Sequence, residues 1–386
     1  MLSAPRSSAR RAPALPPRAR APRRRQPHVS AVTAVGGRVD VVGPEPQARP
    51  RPRPRRHRPT KEYARMADTA APVPTRALVL ANPASGSHSP ELVEQVRQLC
   101  DSYLERTEVY PTTGPGDATV AVRRALERHT GAPDLVVAIG GDGTVREAVQ
   151  GLVPASGRAT LAVVPGGTGN SGYKMLWGDR PWTESLKAIL TDSGVGGSAR
   201  PRRLDLARLA ETRQYVYLGA CSGVIADALI TARDLPLAGR ELYARAFADT
   251  AAGYAPYPGR VTVDGRVVHE GPTVLANVGG GPYRGGRFNV LPDSLLDDGL
   301  LDVCVIGDGI AAADVPRLTL TAAHIGHPAT WYARGRTITV ERTDGRRLPL
   351  EHDGEYQHGI GSTATFEVFP GALPVWAPAP DRPETP

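Results

Sequence analysis

The stretch DLVVAIGGDGTVREAV, Asp134 to Val149, decides how the chain is read. An apolar run ends at Ile139, and three glycines, Gly140, Gly141 and Gly143, then surround one carboxylate, Asp142. A helical pattern resumes directly afterwards. Glycine allows tight turns and close backbone approach, and the N–H groups at a helix start carry partial positive charge that suits phosphate. Thr144 is placed to cap that helix or to meet a phosphate oxygen. A carboxylate beside phosphates repels them unless a cation such as Mg²⁺ lies between. Asp142 therefore points to a metal–nucleotide or to a proton that must be removed.

Working outward, strand and helix signals alternate on both sides. ALVLAN reads as a buried strand, and SPELVEQVRQLCDSYL as an amphipathic helix with Ser89 as cap and Pro90 at its first position. RTEVYPT, GDATVAVRRALERH, DLVVAI, TVREAVQGL and ATLAVVP continue strand, helix, strand, helix, strand. Continuous apolar strands spaced by helices predict a doubly wound parallel sheet, whose ligands sit at the carboxyl ends of the strands. Two more small-residue loops end strands: ANPASG, Ala81 to Gly86, and VPGGTGNSG, Val164 to Gly172. With GGDGT they would line one edge and form a nucleotide cleft. Beyond about Arg200 the pattern becomes strand-rich, which predicts an antiparallel sandwich or barrel. There EHDGEYQ reads on its own as a hairpin turn, because Asp-Gly is a strong turn signal.

The net charge of +8 is misleading. Residues 1–65 hold 17 Lys and Arg against 3 acids, leaving 30 basic and 36 acidic residues in the rest. With aromatics at 5%, the body lacks the basic, stacking face of a nucleic-acid binder. The Arg/Pro-rich residues 1–72 are read as a disordered tail, either an electrostatic tether to anionic lipid or an over-extended start with Met66 as the alternative. Residues 73–200 are read as the nucleotide-binding domain and 201–386 as the β-rich acceptor domain. Cys100, Cys221 and Cys304 show no metal spacing. No run reaches the ~18 apolar residues of a membrane span, so a cytoplasmic protein is expected.

The motifs NPASG, GGDGT and PGGTGN, followed by PDSLLDDGLLDV and EHDGE, resemble the diacylglycerol kinase catalytic family, which includes bacterial lipid kinases and sphingosine and ceramide kinases. The resemblance spans about Arg76 to Pro370. It implies a phosphofructokinase-like parallel-sheet domain followed by an antiparallel β-sandwich, with ATP between them. Asn82, Pro83, Ala84, Ser85 and Gly86 would approach the nucleotide, and Thr112 would reach it from the second strand. Gly140, Gly141, Asp142, Gly143, Thr144, Val145 and Arg146 would cradle phosphates, joined by Thr168 and Asn170. Glu147 would lie on the nucleotide side. Glu355 would be the general base with Asp353 beside it, and Asp142 would share the chemistry. A structural Mg²⁺ would be held by Leu295 and Leu300 through their carbonyls and by the Asp298 side chain.

Two departures qualify the resemblance. Ser171 stands where bacterial members commonly carry Asp, and Leu229 falls where sphingosine kinases hold the sphingoid amine with Asp. The expectation is an ATP- and Mg²⁺-dependent kinase for a diacylglycerol-like lipid at a membrane surface, peripherally bound, with a homodimer compatible. Sphingoid-base, ceramide or NAD kinase-like activity and a catalytically impaired nucleotide- and lipid-binding module are the alternatives. The lipid-kinase reading requires Asp142 and Glu355 to share one crevice.

Overall fold

A computed structural model describes residues 73–86, 89–155, 158–191 and 197–378. The tail readings, Met66 included, lie outside them. Four strands, β1 (Arg76–Ala81), β2 (Arg106–Pro111), β3 (Leu135–Gly140) and β4 (Thr160–Pro165), pair in parallel in the order β2-β1-β3-β4. β3 is buried along its whole length, as its unbroken apolar run requires. Helix α1 (Pro90–Asp101) starts where the sequence predicts it, with the Ser89 side chain accepting the Leu92 N–H at 3.1 Å. Helices α2 (Asp117–Leu126) and α3 (Asp142–Leu152) pack on the sheet, as do α4 (Ser171–Trp177) and α5 (Trp182–Thr191). The strand order reverses between β1 and β3, so the crevice lies beyond Ala81 and Gly140.

The second half is antiparallel. Strands β5 (Ala199–Leu209) and β6 (Tyr215–Val216) precede β7 (Ala220–Gly223), helix α6 (Val224–Thr231) and helix α7 (Gly239–Ala251). QYVYLGACSGV is thus two short strands rather than one, broken at Gly219, whose φ of +145° takes it off the sheet path. Next come β8 (Tyr257–Val263), β9 (Arg266–Gly279) and the small ribbon of β10 (Tyr283–Arg284) with β11 (Phe288–Asn289). β12 (Leu301–Gly307), helix α8 (Val315–Leu320), β13 (Thr330–Gly335), β14 (Thr337–Arg342), β15 (Leu350–His352), β16 (Glu355–Tyr356) and β17 (Thr363–Pro378) complete the chain. One apolar core lies under β8, β14, β17 and β12, built around Phe366, Ile338 and Val303.

The two halves are not strung end to end. β17 runs antiparallel to β5 from Phe366–Leu209 to Pro378–Ala199, and Val375 pairs in parallel with Leu161 of β4. Leu373, Val375 and Trp376 are consequently buried in the core of the first half, with Val375 more than 200 residues from its partner Leu161.

Candidate active site

Asn82 begins the site. Its Nδ2 donates to Thr144 Oγ1 at 2.9 Å, its backbone N–H reaches the Ile139 carbonyl at 3.4 Å, and its Oδ1 accepts the Ala84 N–H at 2.9 Å. The loop after β1 is therefore clamped to the loop after β3. Thr144 serves as that clamp and is buried, while the N-cap of α3 is Gly141 without a side-chain cap. The Thr112 N–H donates to the Ala81 carbonyl at 2.8 Å, which sets Thr112 at the same edge. The fourth loop closes against the third by backbone contact: a Cβ at Gly167 would lie 2.3 Å from the Gly141 Cα. Thr168 Oγ1 faces Gly86, and Asn170, at φ +53°, fixes its own loop through Gly167. Asn82–Gly86, Thr112, Gly140–Arg146 and Thr168–Asn170 thus meet at one edge of the sheet.

Asp142, half-buried in the first turn of α3, accepts the N–H groups of Ser171 at 3.0 Å and Gly172 at 2.9 Å. Burial pushes its pKa up, the two N–H groups pull it down, and the charge of Asp353 raises it again. Ser171 is completely buried, and its Oγ accepts the Gly286 N–H at 2.7 Å. The residue that departs from the resembling family thus ties the start of α4 to the β10–β11 ribbon.

Four residues after Asp142, on the same helix face, Arg146 makes a two-pronged ion pair with Glu355. Gln150, four residues further on, donates to the Tyr215 carbonyl at 2.6 Å and accepts its N–H at 3.2 Å. Of the α3 stripe at positions 142, 146 and 150, Arg146 and Gln150 therefore reach the second half of the molecule and Asp142 holds the start of α4, while Val145, Ala148, Val149 and Leu152 face the core. Arg146 thereby links Glu355 to the helix whose first turn carries Asp142. EHDGEYQ is also the hairpin its sequence suggests. Asp353 (φ +52°) and Gly354 (φ +84°) form the turn between β15 and β16, and Glu355 emerges exposed beside a cleft of about 430 Å³ lined by Leu229, Ala232, Arg233, Leu242, Tyr243 and Tyr356.

Asp353 is placed differently from the expectation. It is buried, and its carboxylate accepts the N–H groups of Tyr217 at 3.0 Å, Leu218 at 2.6 Å and Gly219 at 3.3 Å. Burial alone would raise its pKa, but His352 and these N–H groups outweigh it and hold Asp353 below the usual carboxylate range. Asp353 fixes the turn rather than facing the crevice. Glu147 is likewise committed to the fold, capping α2 through the N–H groups of Gly116 at 2.8 Å and Ala118 at 3.2 Å.

The comparisons with known proteins agree with this fold. Residues 76–195 match the model of the diacylglycerol kinase catalytic domain, and 219–377 match the YegS C-terminal NAD kinase beta sandwich-like domain. A diacylglycerol kinase of Bacillus subtilis (strain 168) is 30% identical over 286 residues, covering 73% of this chain and 90% of the relative. The chain belongs to the diacylglycerol kinase catalytic domain family. A diacylglycerol kinase of Staphylococcus carnosus (strain TM300) is 26% identical over 289 residues, covering 73% of this chain and 89% of that one. The crystal structure of a diacylglycerol kinase from Bacillus anthracis str. Sterne superimposes with a TM-score of 0.59 at 22% identity, covering 80% of this chain and 99% of the other. That likeness confirms the arrangement of a helix-covered parallel sheet followed by an antiparallel sandwich.

Within this family fold, the loop expected to hold a resident Mg²⁺ is organised by other means. Asp298 accepts the Leu300 N–H at 3.2 Å through one oxygen, and Arg334 takes the other. Arg334 also meets Asp302, its cross-strand partner, at 3.1 Å, and Arg202 neutralises Asp297 at 2.6 Å. From below, Asp205 accepts the N–H groups of Gly299 at 2.5 Å and Gly371 at 2.7 Å, and burial lifts its pKa to about 6. Leu295 is exposed, and no cluster of three His, Cys, Asp or Glu side chains among the described residues is disposed to hold a metal ion. The donor set at Leu295, Asp298 and Leu300 does not fit a protein-held cation, because Asp298 is already committed to arginine. Chelation by EDTA should accordingly leave the thermal unfolding midpoint unchanged. A midpoint that falls with EDTA and returns with Mg²⁺ would contradict this account of the loop.

Gln150 and Arg334 were not singled out from the sequence. A polar residue every fourth position on an otherwise apolar helix was the available signal for Gln150. Arg334 had none, since its role depends on register across β12 and β13.

Proposed function

We propose that the protein is an ATP-dependent lipid kinase that phosphorylates a hydroxyl of a diacylglycerol-like acceptor at a membrane surface. The observation that carries this reading is the placement of Glu355, exposed at the mouth of a partly apolar cleft and joined by Arg146 to the edge where three small-residue loops meet. Asn82–Gly86, Thr112, Gly140–Arg146, Thr168 and Asn170 are assigned to ATP. The α3 N-terminus and its free N–H groups suit the phosphates, and Mg²⁺ enters as part of the MgATP substrate, facing Asp142. Glu355 takes the proton of the acceptor hydroxyl as its oxygen attacks the γ-phosphorus, and ADP leaves with the electron pair of the broken P–O bond. Arg146 exchanges Glu355 for phosphate oxygens when the nucleotide arrives, which frees the base in the reacting complex.

A cleft of about 430 Å³ accommodates a headgroup and the first part of an acyl chain but not a whole lipid. The rest of the acceptor would remain in a bilayer, in keeping with exposed Tyr243 at the rim and with no described helix being long and apolar enough to cross a membrane. Leu229 and Arg233 line the cleft, an apolar and a cationic neighbour that favour a neutral acceptor over a sphingoid ammonium.

Radiolabelled ATP offered with dioleoylglycerol, sphingosine, ceramide or NAD should label the diacylglycerol product and leave the others unlabelled. Labelling of NAD or sphingosine alone would sink the assignment. Arg146→Ala should raise KM for ATP by about tenfold, the value of a charge-assisted phosphate contact, and an unchanged KM would remove Arg146 from the phosphate site.

A further inference from the structure

Beneath the Asp353–Gly354 turn lies a carboxylate to which the reaction assigns no part. Glu351 of β15 is almost fully buried, and its Oε2 accepts the Gly354 N–H at 2.9 Å. Its cross-strand neighbours are Cys221 on β7 and Tyr356 on β16. The cation whose charge acts on it is Arg284 of β10, which makes no direct ion pair with it among the described residues, and Asp353 and His352 are the charged or titratable neighbours on its own turn. Arg284 is itself fixed, donating to Asn277 Oδ1 at 3.0 Å, the Tyr283 carbonyl at 3.1 Å and the Val278 carbonyl at 3.3 Å. Gly219 makes room for it, since a Cβ there would lie 1.5 Å from the guanidinium.

A hairpin does not require this arrangement. Glutamine would offer the Gly354 N–H a weaker, uncharged acceptor without the cost of burying a charge. The fold instead keeps an ionisable acid one turn residue away from Glu355, with the Arg284 guanidinium as its electrostatic counterpart. Resting on the kinase reading above, we propose that Glu351 is a positioning residue for phosphoryl transfer: its negative charge, set against Arg284, holds Gly354 and so keeps Glu355 at the mouth of the acceptor cleft.

The electrostatics agree with a group retained at a cost to stability. Burial first, then the charge of Asp353, push the Glu351 pKa up to about 7, against the pull of Arg284, the Gly354 N–H and His352. A carboxyl whose folded pKa exceeds its unfolded one binds more protons in the native state. Its contribution to stability is therefore lost as pH rises from about 4.5 to about 7. Removing the charge should stabilise the protein at alkaline pH while harming the reaction.

The test uses the full chain with Glu351→Gln and Glu351→Asp. At about pH 8, above the folded pKa, Glu351→Gln should raise the thermal midpoint and lower kcat about tenfold with KM for ATP little changed, the mark of lost orientation rather than lost binding. Wild-type kcat should rise through about pH 7, Glu351→Asp should keep a rise, and Glu351→Gln should lack it. Amide hydrogen exchange of residues 353–356 should be faster in Glu351→Gln at the same pH. A Glu351→Gln enzyme that keeps the wild-type kcat and pH rise overturns the proposal and gives that rise to Asp142, as does a lowered midpoint. Should wild-type protein phosphorylate no acceptor, the kinase reading fails by itself. Unchanged exchange at 353–356 then also overturns the anchoring role, and faster exchange upholds it.

Discussion

Glu355→Gln is expected to reduce phosphoryl transfer by about 10²–10⁴-fold, the range for removing a positioned general base, with the thermal midpoint unchanged. The side chain is exposed and makes no contact that the fold depends on apart from the pair with Arg146, and such exposed pairs contribute about 0–1 kcal/mol. Glutamine keeps the shape and accepts from Arg146 but has no lone pair basic enough to take a hydroxyl proton. Asp142→Asn should cut kcat comparably for a different reason. Asparagine can accept only one of the two N–H groups at the start of α4 and presents an amide to the cation that accompanies the phosphates. The measurement is kcat and KM for both substrates in each variant beside a thermal melt. Wild-type turnover in both variants would remove these residues from the chemistry.

Two residues away, Asp353→Ala should behave in the opposite way. It leaves three buried N–H groups without an acceptor, at about 1–3 kcal/mol each. The expected loss is at least about 3 kcal/mol, a large fraction of a typical domain's stability, and activity falls with the fold rather than ahead of it. The pH dependence has a definite sign. Because the folded Asp353 titrates below its ordinary value, its contribution is fully present above about pH 4 and is lost as pH falls through the lowered folded pKa. Urea melts of Asp353→Ala at neutral and acid pH check both points. A variant as stable as wild type at pH 7 would show that the Tyr217–Gly219 segment finds other partners.

That two carboxylates in one DGE turn divide in this way marks the limit of sequence reading here. The parallel strands and the loops at their ends were legible because each rests on local signals: an unbroken apolar run, a glycine cluster, a capping Ser89. The second half was legible as strands but not as pairings, because β5 and β17 find each other across more than 150 residues. Site residues followed the same division. Asn82, Asp142 and Thr168 were found by motif, and their loops do meet. Asp353 was misjudged because only the fold reveals that Tyr217, Leu218 and Gly219 turn their N–H groups toward it. Asp298 was misjudged because its arginine partner lies 36 residues downstream on a neighbouring strand.

The strand that closes the molecule also sets when the molecule can close. β4 is buried and has β3 on one side and β17 on the other, and its second neighbour is among the last residues described. A nascent chain that has delivered every nucleotide-binding loop still exposes an apolar strand edge, which is a template for joining another chain. Excising the amino-terminal half as an independent nucleotide-binding fragment would expose that same edge permanently, and clumping rather than a working half-enzyme is the outcome such a cut invites.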